Sequence, residues 1–239
     1  MEYEITPLLV GVRRVDQGIM TYQRGYGRRI WLPMWAFLIQ GNGKNILVDT
    51  GLDDFIAPPE FSKETGLEAM YMEDALEKKG LKPEDIDIVV NTHLHDDHCG
   101  NNLLFTKAVF YIQKKELEFC GNPHPLDYRY EPDFINNLNV KAVDGDLTIM
   151  PGIELLLTPG HTPGSQTVRV KTKNGWMIIP GFCSNKENFP AMGPAACPGV
   201  HCDAYQAYDT AQRVKEMEGT ILPLHELEVG LMNERKLAA

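Results

Sequence analysis

The feature that most constrains this chain is one short run, Asn91-Thr92-His93-Leu94-His95-Asp96-Asp97-His98. Three of the chain's seven histidines fall within it, in the pattern H-x-H-x-D-H. The run follows directly on the apolar stretch Ile86 to Val90. A strand that ends in a loop of imidazoles and carboxylates is how layered α/β proteins place chemistry at a sheet edge. His93 and His95 stand two apart, so an extended backbone points both the same way. At Asp97 and His98 the chain then turns away from that extended line. Imidazole nitrogens and a carboxylate suit zinc and similar divalent metals. Four donors in one turn are more than a single tetrahedral ion takes from so short a segment. Two neighbouring ions are expected, one on His93 and His95, the other on Asp97 and His98.

The remaining chain supplies a scaffold for such a loop. Strand-like apolar runs recur at Leu8 to Val12, Trp35 to Ile39, Asn45 to Val48, Ile86 to Val90, Val109 to Gln113, Ile153 to Leu157, Thr167 to Val170 and Trp176 to Ile179. Glycine and Asn-Gly punctuation separates many of them. Gly41-Asn42-Gly43 reads as a hairpin turn between the second and third. Helical stretches are expected over Ala69 to Lys79, closed by Gly80, over Lys114 to Cys120, and over Asp203 to Glu218. In the last, Ala204, Ala207, Tyr208, Ala211, Val214 and Met217 mark one apolar face, and Asp203 is placed to cap it. Many strands with interspersed helices indicate a layered α/β architecture. Ala57 to Thr65, which contains Pro58-Pro59, reads as a mobile loop. So does Gly18 to Pro33, where Arg24, Arg28 and Arg29 stand beside Tyr22, Tyr26 and Trp31; a solvated basic loop and a substrate lid are its two readings. The length of 239 residues fits one domain over 1–239.

Composition narrows the partners. Against 33 acidic residues stand 23 basic ones, a net charge of −10, which argues against a nucleic-acid partner because phosphate contacts need a basic face. Apolar runs are far shorter than the ~18 residues of a membrane span, and no signal-peptide pattern follows Met1. Five cysteines, an odd number with no CxxC pair, fit a reduced, cytoplasmic setting.

Two later histidines extend the constellation. His161 lies in Thr158-Pro159-Gly160-His161-Thr162-Pro163-Gly164, and His225 in Leu222-Pro223-Leu224-His225. Each follows a short apolar run. Taken in order, the H-x-H-x-D-H run, the turn at His161 and the segment at His225 resemble the metallo-β-lactamase superfamily. Leu47-Val48-Asp49-Thr50-Gly51 matches its early strand end. Within that superfamily the chain is most similar to N-acyl homoserine lactonases, through His93-Leu94-His95-Asp96-Asp97-His98-Cys99-Gly100-Asn101, His161-Thr162-Pro163-Gly164-Ser165-Gln166, Lys186-Glu187-Asn188-Phe189 and Pro198-Gly199-Val200-His201. The resemblance implies a four-layer αβ/βα sandwich with metals at one edge between two sheets. It implies that His93, His95 and His161 hold one ion, and Asp97, His98 and His225 a second. Asp49 would orient a ligand histidine. Zinc is the implied metal, as one or two ions, with iron and manganese as alternatives; a homodimer is common among such relatives.

The pattern breaks at one place. Family members carry an aspartate bridging the two metals after the strand equivalent to Trp176–Ile179. Here the chain reads Pro180-Gly181-Phe182-Cys183-Ser184-Asn185. Gly181 or Phe182 takes the aspartate's place, depending on the alignment, and Ser184 takes that of a tyrosine near the substrate. Three readings stay open: Cys183 replaces the aspartate as a metal ligand, solvent alone links two ions, or one metal suffices. His201 and Cys202 read as a helix-capping segment or as neighbours of the site, and His124 as a loop residue or a substrate contact.

Metal-assisted hydrolysis of a small molecule is the expected reaction. A bound metal lowers the pKa of water from ~15.7 toward ~7. The resulting hydroxide would attack an ester or lactone carbonyl, with Asp97 orienting it or accepting its proton. Thioesterases and other hydrolases share the same ligands, and a degenerate metal-binding protein without turnover is the alternative from another class.

Overall fold

Strand alternation sorts the apolar residues into layers. In the computed structural model, which describes residues 2–231, Arg29–Gly41 is one long strand. Its Trp35, Phe37 and Ile39 enter one core, while Ala36 and Leu38 enter another. That period of two is what a sheet buried on both faces requires. The outermost positions of the expected 1–239 domain lie outside the described residues.

Six strands form the first sheet in chain order: β1 (Glu4–Asp16), β2 (Arg29–Gly41), β3 (Lys44–Val48), β4 (Ile88–Val90), β5 (Val109–Gln113) and β6 (Asn139–Val143). The first three pair antiparallel, and β3 to β6 run parallel. The second sheet holds β7 (Leu147–Met150), β8 (Ile153–Leu157), β9 (Gln166–Thr172), β10 (Gly175–Ile179) and β11 (Thr220–Ile221), in the order β11-β10-β9-β8-β7. Between the sheets, Phe37, Ile39, Val48 and Val90 meet Ile153, Leu155, Val168, Val170 and Ile179. The helices are α1 (Pro59–Thr65), α2 (Met72–Glu77), α3 (Asp96–Cys99), α4 (Lys114–Cys120), α5 (Ala204–Glu216) and α6 (Glu228–Leu231). Outside the first sheet, Met72, Ala75 and Leu76 of α2 cover Leu38, Leu47 and Val89. Outside the second, Ala211 and Val214 of α5 cover Ile178. The result is the expected αβ/βα four-layer sandwich.

Local signals explain most element ends. Asn42 and Gly43 both take positive φ, 52° and 69°, as a tight turn joining β2 to β3 demands. The Asp203 carboxylate accepts from the Gln206 backbone N–H at 3.0 Å and caps α5. The helix expected over Ala69 to Lys79 is shorter, because the Met70 N–H is engaged by the Leu9 carbonyl of β1 at 3.0 Å.

Two expected loops turn out otherwise. The Ala57 to Thr65 stretch contains α1: Pro59 stands at its first position, where a proline is pre-organised for a helix. Phe61 anchors it in the inter-sheet core and packs edge-on against Trp31 at 5.4 Å. The Gly18 to Pro33 stretch, read as mobile, is tied down. Tyr22 N–H bonds to Cys197 O at 2.9 Å, Val200 N–H to Ile19 O at 3.1 Å, and Asn188 Nδ2 to Met20 O at 2.7 Å. A Cβ on Gly199 would fall 1.8 Å from the Gly18 carbonyl oxygen, so this strapping requires glycine there.

Candidate active site

The ends of β3, β4, β8, β10 and β11 open toward one edge of the sandwich, and the loops that follow them converge. Asp49 follows β3, His93 to His98 follow β4, His161 follows β8, Cys183 follows β10 and His225 follows β11. They line a cleft of about 480 Å³, except Asp49, which lies beneath it. Two groups of donors form there. The ligating atoms of His93, His95 and His161 lie within 4.8 Å of one another, and so do those of Asp97, His98 and His225. The groups adjoin, since the His93 and His98 ring centroids are 4.1 Å apart.

Each histidine is held by an outward ring nitrogen. His161 Nδ1 donates to Val200 O at 2.7 Å, and His225 Nδ1 to Pro33 O at 2.9 Å. His98 Nδ1 donates to Asp49 Oδ2 at 2.8 Å. The Thr92 hydroxyl donates to Asp49 Oδ2 at 2.7 Å, so it accepts from His93 Nδ1 at 3.0 Å. His95 Nε2 faces Asp127 Oδ2 at 3.2 Å. These bonds fix the tautomers, and a fixed tautomer determines which nitrogen carries the inward lone pair. Asp49 thus orients His98, and also receives the Thr92 N–H at 2.7 Å. Its backbone is left-handed, at φ 60°, a conformation aspartate tolerates better than most residues.

The fit of a cation follows from this arrangement. His93 Nε2 and His161 Nε2, both left with lone pairs by their outward bonds, face each other at 3.2 Å. Two lone pairs at that distance repel unless a cation lies between them. A proton is poorly suited, because burial and the neighbouring histidines push both pKa values well below the ordinary value. A soft-to-borderline dication matches three neutral imidazoles. The second group is electrostatically different. Burial alone would raise Asp97, but His98, His225, His95 and Arg13 bring it far below the usual carboxylate range. Burial alone would lower His98, but the carboxylates of Asp97 and Asp49 raise it to about 9. Burial and the nearby His98 lower His225 to about 4.

The place of the expected bridging carboxylate is closed. A Cβ on Gly181 would lie 2.0 Å from the Gln166 carbonyl oxygen, so no side chain fits. Phe182 is fully buried in the core under α5. Cys183 lines the cleft but stands in neither donor group. Its sulfur rests 3.4 Å from Met20 Sδ, in a small apolar cluster. Burial, with the negative charge of Asp97, holds its thiol well above the ordinary value. Ser184, at the expected tyrosine position, is buried. His201 packs edge-on against Tyr22 at 4.9 Å, beside the cleft-lining Val200, and Cys202 N–H bonds to Gly160 O at 2.8 Å. His124 accepts from the Leu126 N–H within its own loop.

Two acidic residues near the site carried no sequence signal. Glu116 reads as a surface residue of α4, yet it is fully buried. Its Oε1 accepts from Leu94 N–H at 2.9 Å and Tyr130 Oη at 2.7 Å, and its Oε2 from Thr162 Oγ1 at 2.7 Å and Gly164 N–H at 3.0 Å. It therefore ties the His93–His95 loop to the His161 turn. Asp127 lies 32 residues from His95 in a proline-flanked loop.

Comparison with known proteins agrees with this geometry. The family model described as Metallo-beta-lactamase superfamily matches residues 29–222. The chain is 32% identical over 206 residues to an N-acyl homoserine lactonase from Bacillus cereus, covering 80% of this chain and 78% of that one. It is 34% identical over 203 residues to an N-acyl homoserine lactonase from a Bacillus species, with the same coverage. Among solved structures, it resembles an N-acyl homoserine lactone hydrolase with the product N-hexanoyl-L-homoserine at its catalytic metal centre. That likeness has a TM-score of 0.75 and 26% identity over 95% of each chain.

Proposed function

Because the chain belongs to the metallo-beta-lactamase superfamily, we propose that it is a metal-dependent hydrolase that opens the ring of a lactone, with N-acyl homoserine lactones as the substrate class. One observation carries the reading: two adjoining buried donor groups, one of three histidines and one of Asp97, His98 and His225, at the floor of a cleft. His93, His95 and His161 would hold one zinc ion, and Asp97, His98 and His225 a second; iron and manganese accept the same donors. A bound dication supplies a lowered water pKa and a polarised ester carbonyl.

The chain's own residues do the rest. The Asp97 carboxylate, ionised at neutral pH, would orient the attacking water by accepting a hydrogen bond from it. Val15, Ile19 and Leu32 give the cleft an apolar wall that excludes water from the acyl part of the substrate. Arg13, paired with Asp96 at 3.3 Å, supplies a cationic group at the mouth. With Gly181 closed to any side chain and Cys183 turned to Met20, the arrangement supports two ions without a bridging protein carboxylate. Cys183 then serves as cleft wall. Free thiols at all five cysteines support a reducing, cytoplasmic setting.

A panel of lactones, thioesters, phosphodiesters and β-lactams, offered to zinc-replete protein, tests the reading. Turnover of lactones above the other classes is expected. Turnover of thioesters alone, or of nothing, would overturn it.

A further inference from the structure

The loop that carries Asp127 does two things at once. Leu126, Tyr128 and Arg129 line the cleft, and the first two are large apolar side chains left 84% and 86% exposed. Between them, Asp127 turns inward. One of its oxygens, Oδ2, meets His95 Nε2 at 3.2 Å. The other, Oδ1, is held by Arg129 through Nε at 2.7 Å and Nη2 at 2.7 Å. The loop is fastened to the histidine run on both sides of this contact: Asp96 N–H bonds to Arg129 O at 2.9 Å, and His95 and Tyr130 form an isolated β-bridge.

We propose that Asp127 is the positioning residue of the three-histidine group: it receives the proton of His95 Nε2, keeps Nδ1 as the inward lone pair, and makes the rim of the substrate cleft part of the metal centre's support. The inference rests on the metal-dependent function proposed for the site. A carboxylate accepts only, so His95 Nε2 must carry the hydrogen and cannot present a lone pair to an ion. Arg129 fixes the carboxylate in a fork that a lysine or an amide would not reproduce. Among the five histidines of the two groups, His95 draws its anchor from a side chain of the rim loop; the others are held by Asp49, Thr92, or the backbone carbonyls of Val200, itself on the cleft wall, and Pro33. Substrate specificity and metal retention are thereby joined in one loop, so changes to the rim alter both.

Metal affinity and geometry test this directly. Zinc affinity is read by competition with a chromophoric chelator, and ligand geometry by the visible absorption of the cobalt(II)-loaded protein. Asp127→Ala and the same-sized Asp127→Asn are compared with wild type and with Asp96→Asn. The last removes a neighbouring negative charge, that of the residue next to His95, but leaves the His95 anchor in place. Asp127→Ala should lose about 10- to 100-fold in affinity for one zinc ion and shift the cobalt bands, with Asp127→Asn between it and wild type. Asp96→Asn should lose less than about threefold, the scale of a screened, partly exposed charge, with its bands unmoved. Affinity of both Asp127 variants within about twofold of wild type, with unmoved bands, would overturn the proposal. So would an equal loss in Asp96→Asn, which would reduce the effect to charge alone. Wild-type protein that takes up no zinc would overturn the metal-dependent reading as well.

Discussion

At the scale of single residues, the two donor groups differ in what a cation must displace. His93 and His161 are neutral at pH 7, because burial and neighbouring imidazoles lower both. His98 between Asp49 and Asp97 is raised from 6.5 to about 9, so it holds its proton in the metal-free protein. A raised folded value stabilises the protonated form. Its contribution to metal-free stability is full below pH 6.5 and is lost as the pH rises through about 9. A zinc ion entering the Asp97 group must expel that proton. Affinity of that site should therefore rise about tenfold per pH unit between about 7 and 9, more steeply than that of the three-histidine site, where His93 and His161 have no proton to lose. Zinc isotherms at several pH values separate the two. Parallel slopes would contradict the assignment of the proton to His98.

At the scale of elements, the site is a joint between loops that follow different strands, and Glu116 is its pin. The α4 carboxylate accepts four bonds from the β4 loop, the β8–β9 turn and Tyr130. Glu116→Ala would leave buried donors without partners, each worth about 1–3 kcal/mol. We expect a loss of at least about 3 kcal/mol, measured as a lower denaturant midpoint at unchanged slope. A change below about 1 kcal/mol would show that the loops hold one another without it. This is also where the sequence stops being legible. The strand runs, the hairpin turn and the Asp203 cap are local signals, and each stands where its pattern places it, except that the run from Ile86 enters its strand only at Ile88. The donors His93, His95, Asp97 and His98 are legible because they are contiguous and follow a strand. Glu116 and Asp127 are not, because the histidine-loop groups they hold, Leu94 and His95, lie 22 and 32 residues away and their own surroundings look like an ordinary charged helix and an ordinary proline loop. The α1 helix is hidden for another reason: Pro58-Pro59 signals a break, but a proline at the first helical position starts a helix as readily as it ends one.

At the scale of the whole molecule, two sheets present five strand ends to one edge, and the layers outside them keep those ends in register. Such a scaffold hosts many chemistries, and the donor groups select among them. The −10 charge of the chain is compatible with a site that concentrates cations and unsuited to polyanionic substrates. Closure of the bridging position at Gly181 would leave each ion three protein donors, with exchangeable ligands to complete both sites. Chelators should then strip the protein readily, with the fold retained, because the inter-sheet core does not pass through the metal centre. The most direct measurement is the rate of lactone ring opening, followed by proton release, in protein stripped with a chelator and titrated back with zinc. Stripped protein should be inactive and should regain turnover as zinc is added, reaching its maximum near two ions per chain. Full turnover in the stripped protein, or none at any zinc loading, would contradict a metal-dependent lactonase.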